Sequence, residues 1–231
     1  MSKRGKKYNQ AAQKAEKEGS FSAQEALDRV KELAYAKFDE TVDVHINLGI
    51  DPTKGDQTVR GSVMLPHGRG KEVKVIVFAK GDYADVAKSA GADYVGDQDL
   101  VDKISKGWMD FDYAVATPDL MGIVGKLAKI LGPRGLLPNK KTGTVTFEVE
   151  SIVKELKQGR AFFKNDKGGL VHFSFGKVSF DKDKLSENLV AFIKTLMAAK
   201  PSSSKGKFLK KMVVTSTMGV GIPVNPDEFL R

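Results

Sequence analysis

The 231-residue sequence contains no cysteine. Disulfides, thiolate metal sites and cysteine nucleophiles are thereby excluded, and a reducing compartment is the natural setting. Histidine is nearly as scarce. His45, His67 and His172 stand far apart, so no histidine metal cluster is expected, while carboxylate sites stay open. No apolar run approaches the roughly 18 residues that cross a bilayer, so no membrane partner is expected. The opening stretch, "MSKRGKKYNQAAQKAEKEG", is basic but lacks the apolar core of a secretory signal. There are no internal repeats.

What is present is an ordinary globular composition, 41% hydrophobic, with a formal net charge of +9. The excess is uneven. Residues 1–67 hold 11 Lys and Arg against 10 Asp and Glu, and residues 68–159 hold 14 against 13. Residues 160–231 hold 13 against 6. A local excess of this kind suits a surface that meets phosphate, although a basic solvated face would have the same composition.

The hydrophobic pattern divides the chain into three parts. In the first, Ser22 and Glu25 form a capping box that opens a helix with Ala26, Leu27, Val30, Leu33 and Ala34 on one stripe. The period then changes to two. Val42, Val44, Ile46, Leu48 and Ile50 alternate with Thr41, Asp43, His45 and Asn47, which predicts a strand with one buried and one polar face. "DPTKGDQ" reads as a turn and "TVRGSVML" as a second strand, together a hairpin with a long connection. The middle part alternates strand with helix: "EVKVIVFA", "YADVAKSAGA", "DYVG", "DQDLVDKISKG", "DYAVAT", "PDLMGIVGKLAKILG" and "SIVKELKQGR", the last stopped by Gly159. That order indicates parallel α/β units. The last part returns to the earlier style with the strand "LVHFSFG", a helix with Leu185, Leu189, Phe192, Ile193 and Leu196 on one side, and the strand "KFLKKMVVTSTMG".

Neither end alone covers its apolar sheet face. The expected fold class is therefore mixed α/β and α+β. Residues 1–67 and 160–231 form one discontinuous split β-α-β domain of four strands and two large helices. Residues 68–159 are inserted as a Rossmann-like α/β domain. The crossings at Pro66–Gly68 and Gln158–Arg160 contain glycine, which suits hinge motion.

Phosphate-binding loops are the first chemistry to test. In "GPRGLLPNKKTG" the spacing of a Walker A loop fails: Gly132 and Gly135 are three apart, no Gly-Lys-Thr follows, and Pro133 and Pro138 lack amides. "MGIVGKLA" lacks the hydroxyl, and "HGRGKE" lacks the full dinucleotide signature. Asp110 and Asp112 read more simply as strand-end charges than as an acid/base pair. A small nucleotide-dependent α/β enzyme built on residues 68–159 is the competing reading to nucleic-acid binding.

The stretch "IVGKLAKILGPRGLLPN" resembles the signature of the L-one family of large-subunit ribosomal proteins, the proteins of the mobile side stalk near the tRNA exit site. "AKFDETVDVHINLGIDP", "VRGSVMLPHGRGK", "AGADYVG", "GWMDFDYAVATPD", "FKNDKGG" and "TSTMGVGIPVNP" extend the resemblance over nearly the whole chain, closest to the bacterial type. The resemblance implies the discontinuous two-domain fold and a cytoplasmic, ribosome-bound, noncatalytic protein without cofactor. Its partners would be large-subunit rRNA, exit-site tRNA, the mRNA of its own operon, whose translation it would repress, and other large-subunit components. By motif, the RNA contacts would be Lys37, Phe38, Thr41 and Asp43; Asp166, Lys167 and His172; and Thr215, Thr217, Met218 and Gly219.

These residue types suit RNA. Lys37 and Lys167 neutralise phosphate, Phe38 offers an apolar face to a ribose or base, and Thr217, Asp43 and Asp166 bond to 2′-hydroxyls or base amino groups. Gly219 permits close backbone approach. From spacing alone, Phe38 reads rather as core at a helix end and Thr41, Asp43 and His45 rather as an ordinary wet sheet face, while Asp166–Lys167 reads equally as a turn and "TSTMG" as a strand end with a glycine stop. Adjacent Val213 and Val214 leave the facing of the last strand open. The family usually has proline after "TMG", where this chain has Val220. Arg134, Lys140 and Lys141 fall in the middle part, outside the expected primary site.

Overall fold

The computed structural model describes residues 5–15 and 19–229, so both ends of the basic opening stretch, residues 1–4 and 16–18, lie outside the described residues. Before the middle part the chain forms α1 (Lys6–Ala15), α2 (Ala23–Leu33), β1 (Thr41–Leu48) and β2 (Arg60–Met64). The middle supplies β3 (Val75–Phe78), α3 (Asp82–Ser89), β4 (Tyr94–Gly96), α4 (Gln98–Ser105), β5 (Tyr113–Ala116), α5 (Met121–Val124), α6 (Ala128–Leu131) and α7 (Val149–Gln158). After it come β6 (Arg160–Lys164), β7 (Leu170–Lys177), α8 (Lys182–Ala198), β8 (Leu209–Ser216) and β9 (Ile222–Val224). Packing divides the chain into two compact units: one comprises the residues up to Gly70 and from Ala161 onward, the other Lys71–Arg160.

In the first unit β1 lies at the heart of a four-stranded antiparallel sheet of order β7-β1-β8-β9. Both neighbours of β1 run against it, so β7 and β8 are parallel to each other and joined through α8, with β1 between them. The capping box forms as read: the Glu25 amide donates to Ser22 Oγ and the Ser22 amide to Glu25 Oε2. One sheet face carries Val42, Val44, Ile46, Val171, Phe173, Met212 and Val214, buried with Leu27 and Val30 of α2 and the whole predicted stripe of α8. Phe192 of α8 stacks on Phe173 at 4.1 Å between centroids and meets Phe163 edge-on at 5.5 Å. Buried Asn188 accepts from the His67 amide at 3.1 Å and donates to Gly68 O and Phe175 O, tying the first crossing segment to α8.

Several local expectations are corrected. β2 does not form a hairpin with β1; it pairs with β6 in a separate two-stranded sheet, because β7 and β8 occupy both edges of β1. β6 itself, "RAFFK", follows directly on the left-handed Gly159 (φ 117°) and is a strand that the hydrophobic pattern did not assign. With β6 and the short β9 the described residues of the unit form six strands rather than four, and α1 adds a helix. Ile50 lies past the end of β1, and Ala34 caps α2 in an extended conformation.

In the second unit β4, β3 and β5 form a parallel sheet with β3 central and wholly buried, as the α/β alternation predicts. Ile76 and Phe78 join a core with Leu100, Ile104, Val124, Leu127 and Leu131, whereas Val75 and Val77, also buried, point to the opposite face. The long predicted helix over "PDLMGIVGKLAKILG" is broken into alternating α and 3₁₀ turns, consistent with Pro118 at its start and Gly122 and Gly125 inside it.

Candidate nucleic-acid interface

The face of the four-stranded sheet opposite the helices carries the polar residues of β1. Register places them in rungs: Ser174–Asp43–Thr215, then His172–His45–Val213, then Leu170–Asn47–Lys211. The facing of the last strand is thereby settled. Val214 is buried and Val213 lies on the open side with Thr215. An irregularity between Val42 and Asp43 leaves one extra residue in β7, so Phe175 and Gly176 are both buried and Lys177 emerges on the open side. There Lys177 Nζ donates to Thr41 Oγ1 at 2.9 Å and to Asp39 O at 3.3 Å.

At one end of this face two remote segments meet. Phe38 stands in the connection between α2 and β1 with 57% of its surface exposed, which rules out the alternative of a core residue, and Lys37 beside it is exposed. The Thr41 amide donates to Thr217 Oγ1 at 2.9 Å, and Thr217 Oγ1 lies 3.3 Å from Thr41 O. Tyr35 donates its hydroxyl to Met218 O at 2.7 Å, leaving the Met218 side chain 51% exposed. Underneath sits Glu40, 1% exposed, which accepts from the Ala36 amide and the Met218 amide, each at 2.9 Å. Burial alone would raise this carboxyl, but the Met218 amide foremost, then the Ser216 hydroxyl and the Ala36 and Tyr35 amides, hold its pKa below the ordinary value. A hydrogen bond from the Gly219 amide to Ser216 O closes the following turn, and a Cβ on Gly219 would collide with the Ser216 side chain. A side chain at this position would have to displace the Ser216 hydroxyl, and Val220 leaves the turn bond in place.

At the other end the β6–β7 turn is built on Asp166. Its Oδ1 accepts from the amides of Gly168 at 2.8 Å and Leu170 at 2.7 Å, and the Leu170 bond foremost holds its pKa below the ordinary carboxylate value. Lys167 is exposed at the tip. Asp166 Oδ2 lies 3.7 Å from His172 Nε2, and His172 Nδ1 lies 2.8 Å from His45 Nδ1. All eleven residues named from the sequence therefore lie along one sheet face and its two ends, within one unit. Ser174, Lys177, His45, Arg69, Tyr35 and Glu40 belong to the same surface or its support and were not named. Arg69 reaches the face from the first crossing segment and donates to Ser174 Oγ. Alternation could have flagged Glu40, which shares the parity of Val42 and Val44, and it places His45 and Ser174 on the polar side of their strands; Lys177 needed the register irregularity, and Tyr35 and Arg69 the tertiary contacts.

At the middle of this face burial disfavours the charged forms of Asp43 and His45. Burial raises the pKa of Asp43 even though His45, Arg69, Lys177 and His172 pull it down. Burial, then the neighbouring His172, depresses His45 below its ordinary 6.5, with Asp43 only partly opposing. As pH falls, the unfolded chain takes up the His45 proton before the folded one, so stability declines from about pH 6.5 toward the depressed value. The melting temperature should drop between pH 7.5 and pH 5.5, and His45→Gln should flatten that drop; an equal slope in the variant would refute the assignment. The low carboxyl pKa values act below this window.

The middle unit offers no phosphate cradle in "GPRGLLPNKKTG". The amides of Thr142 and Thr144 donate to Asn139 O, the Lys141 amide to Asn139 Oδ1, the Gly143 amide to Lys140 O, and the Asn139 amide to Thr144 Oγ1. These donors close the loop on itself. Among the described residues no group of three or more His, Cys, Asp or Glu could hold a metal ion, and no helix is long and apolar enough to cross a membrane. In comparison with known families, residues 30–220 match the model described as the ribosomal protein L1p/L10e family.

Proposed function

The chain belongs to the ribosomal protein L1p/L10e family, a family of RNA-binding large-subunit proteins rather than enzymes, and on that premise we propose that its open sheet face grips the rRNA of the mobile side stalk. Residues 1–67 with 160–231 act as the RNA-binding domain, and residues 68–159 as an inserted domain that extends the stalk and assists release of exit-site tRNA. The same face binds a similar structure in the mRNA of its own operon and represses translation. The protein works bound to ribosomes in the cytoplasm.

One observation carries the reading. Segments more than 170 residues apart, 37–43 and 215–219, are tied together by hydrogen bonds that present Phe38 and Met218 outward beside Lys37. Large apolar side chains held in the open next to lysines suit ribose and base contact with charge neutralisation of the backbone. Bonds fixed before RNA arrives reduce the ordering cost on binding.

The test is binding of a stalk rRNA fragment. Phe38→Ala and Met218→Asp should each weaken it roughly tenfold or more, the scale of losing one stacked base at about 1–3 kcal/mol, with unchanged melting temperature. Thr217→Val is a less direct probe, because its hydroxyl also holds Thr41. Unaltered affinity in both exposed-site variants would remove this face from the RNA site.

A further inference from the structure

We propose that the cleft between the start of α1 and the Thr217–Gly219 turn receives one unpaired nucleotide of the RNA, an inference that rests on the sheet-face reading above and extends it. The cleft has a volume of ≈ 660 Å³ and is lined by Lys6, Lys7, Tyr8, Tyr35, Met218 and Gly219, with Gly5 and Thr217. That volume lies within the range of about 300–1,000 Å³ typical of small-molecule sites. The lining includes two tyrosines and the exposed Met218, and base rings stack on such side chains. Tyr35 is fixed there by its hydrogen bond to Met218 O.

The lysines supply the complementary charge. Lys6 and Lys7 are exposed and form no ion pair among the described residues, and the first turn of α1 has no acidic residue. α1 also contributes little to the core: Ala11 is its one buried residue. A helix that buries so little, yet brings two lysines and a tyrosine against the predicted RNA turn, fits a ligand-facing role better than a packing role. Stacking walls beside phosphate-neutralising lysines select a nucleotide that is free to leave its helix. A paired base, already stacked and hydrogen-bonded, would have to be extracted first.

The test uses the full chain and two RNAs: the stalk rRNA fragment with its unpaired nucleotides, and the same fragment with those nucleotides paired. The double variant Lys6→Ala, Lys7→Ala and the single variant Tyr8→Ala should each lose about five- to thirtyfold affinity for the first RNA and little for the second. The lysine variant should also show a log–log salt slope shallower by about one to two, the count expected for one or two lost phosphate contacts. Equal losses on both RNAs would indicate general phosphate attraction and overturn the nucleotide site, as would no loss on either. Binding of free mononucleotide at the cleft with RNA affinity unchanged in the variants would overturn it too. Phe38→Ala in the same assay separates the two levels: loss there alone leaves the sheet-face reading standing without the cleft, and no loss in any variant sinks both.

Discussion

Glu40→Ala should lower the stability of the terminal unit by about 3 kcal/mol and weaken RNA binding beyond what remains attributable to unfolding. The carboxylate is buried and serves two amides at once, Ala36 N and Met218 N. Hydrogen bonds to a charged group each contribute about 1.5–3 kcal/mol, and buried donors left without an acceptor add their desolvation cost. The two amides belong to the segments that carry Phe38 and Met218, so truncation releases both arms of the site together. Glu40→Gln should lie between the parent and the alanine variant, since one carboxamide oxygen still accepts while its amino group faces a donor. Because the folded carboxyl pKa is depressed, the contribution is present above the ordinary value of 4.5 and is lost as pH falls through the folded value. Chemical denaturation at pH 7 and RNA titration on the folded fraction measure the two effects. A Glu40→Ala protein with parental stability and affinity would show that the two arms hold themselves.

Phe192→Ala should have the largest effect on stability and almost none on RNA contact. The ring is fully buried, stacks on Phe173 of the sheet and touches Phe163 of β6. Removing such a ring leaves a cavity and costs about 3–5 kcal/mol. The open face lies on the other side of the sheet, so molecules that remain folded should bind the stalk fragment with parental affinity. A fold loss matched by an equal affinity loss in the folded fraction would mean that the two faces of the sheet are energetically coupled.

Together the two variants separate what holds the face from what holds the fold. Glu40 stands at the junction of both roles. It shares the parity of Val42, Val44 and Ile46 along β1, so it points inward where the chain enters the sheet. A charged residue at an inward position is worth its desolvation only with partners on every side, and here those partners are the amides of the site.

Much of the fold was legible because local periods are set by backbone geometry. The capping box at Ser22–Glu25, the alternation of β1, the stripe of α8 and the Gly159 stop of α7 each read correctly from a window of a few residues. The eleven candidate site residues were named through a resemblance, not through spacing. Spacing favoured a core position for Phe38, and its exposure overturns that reading.

The amino-acid sequence by itself determined most of the helices and strands and the apolar faces of α2, β1 and α8, because one side-chain period follows from one backbone conformation. Tertiary structure alone decided which strand edges meet, that β1 takes β7 and β8 rather than β2, that Lys177 turns outward after the β7 irregularity, and that His45 sits against His172. Those outcomes depend on competition among strand edges distant along the chain, and on closing a sheet whose members are separated by a ninety-residue unit, Lys71–Arg160. No local period carries that information.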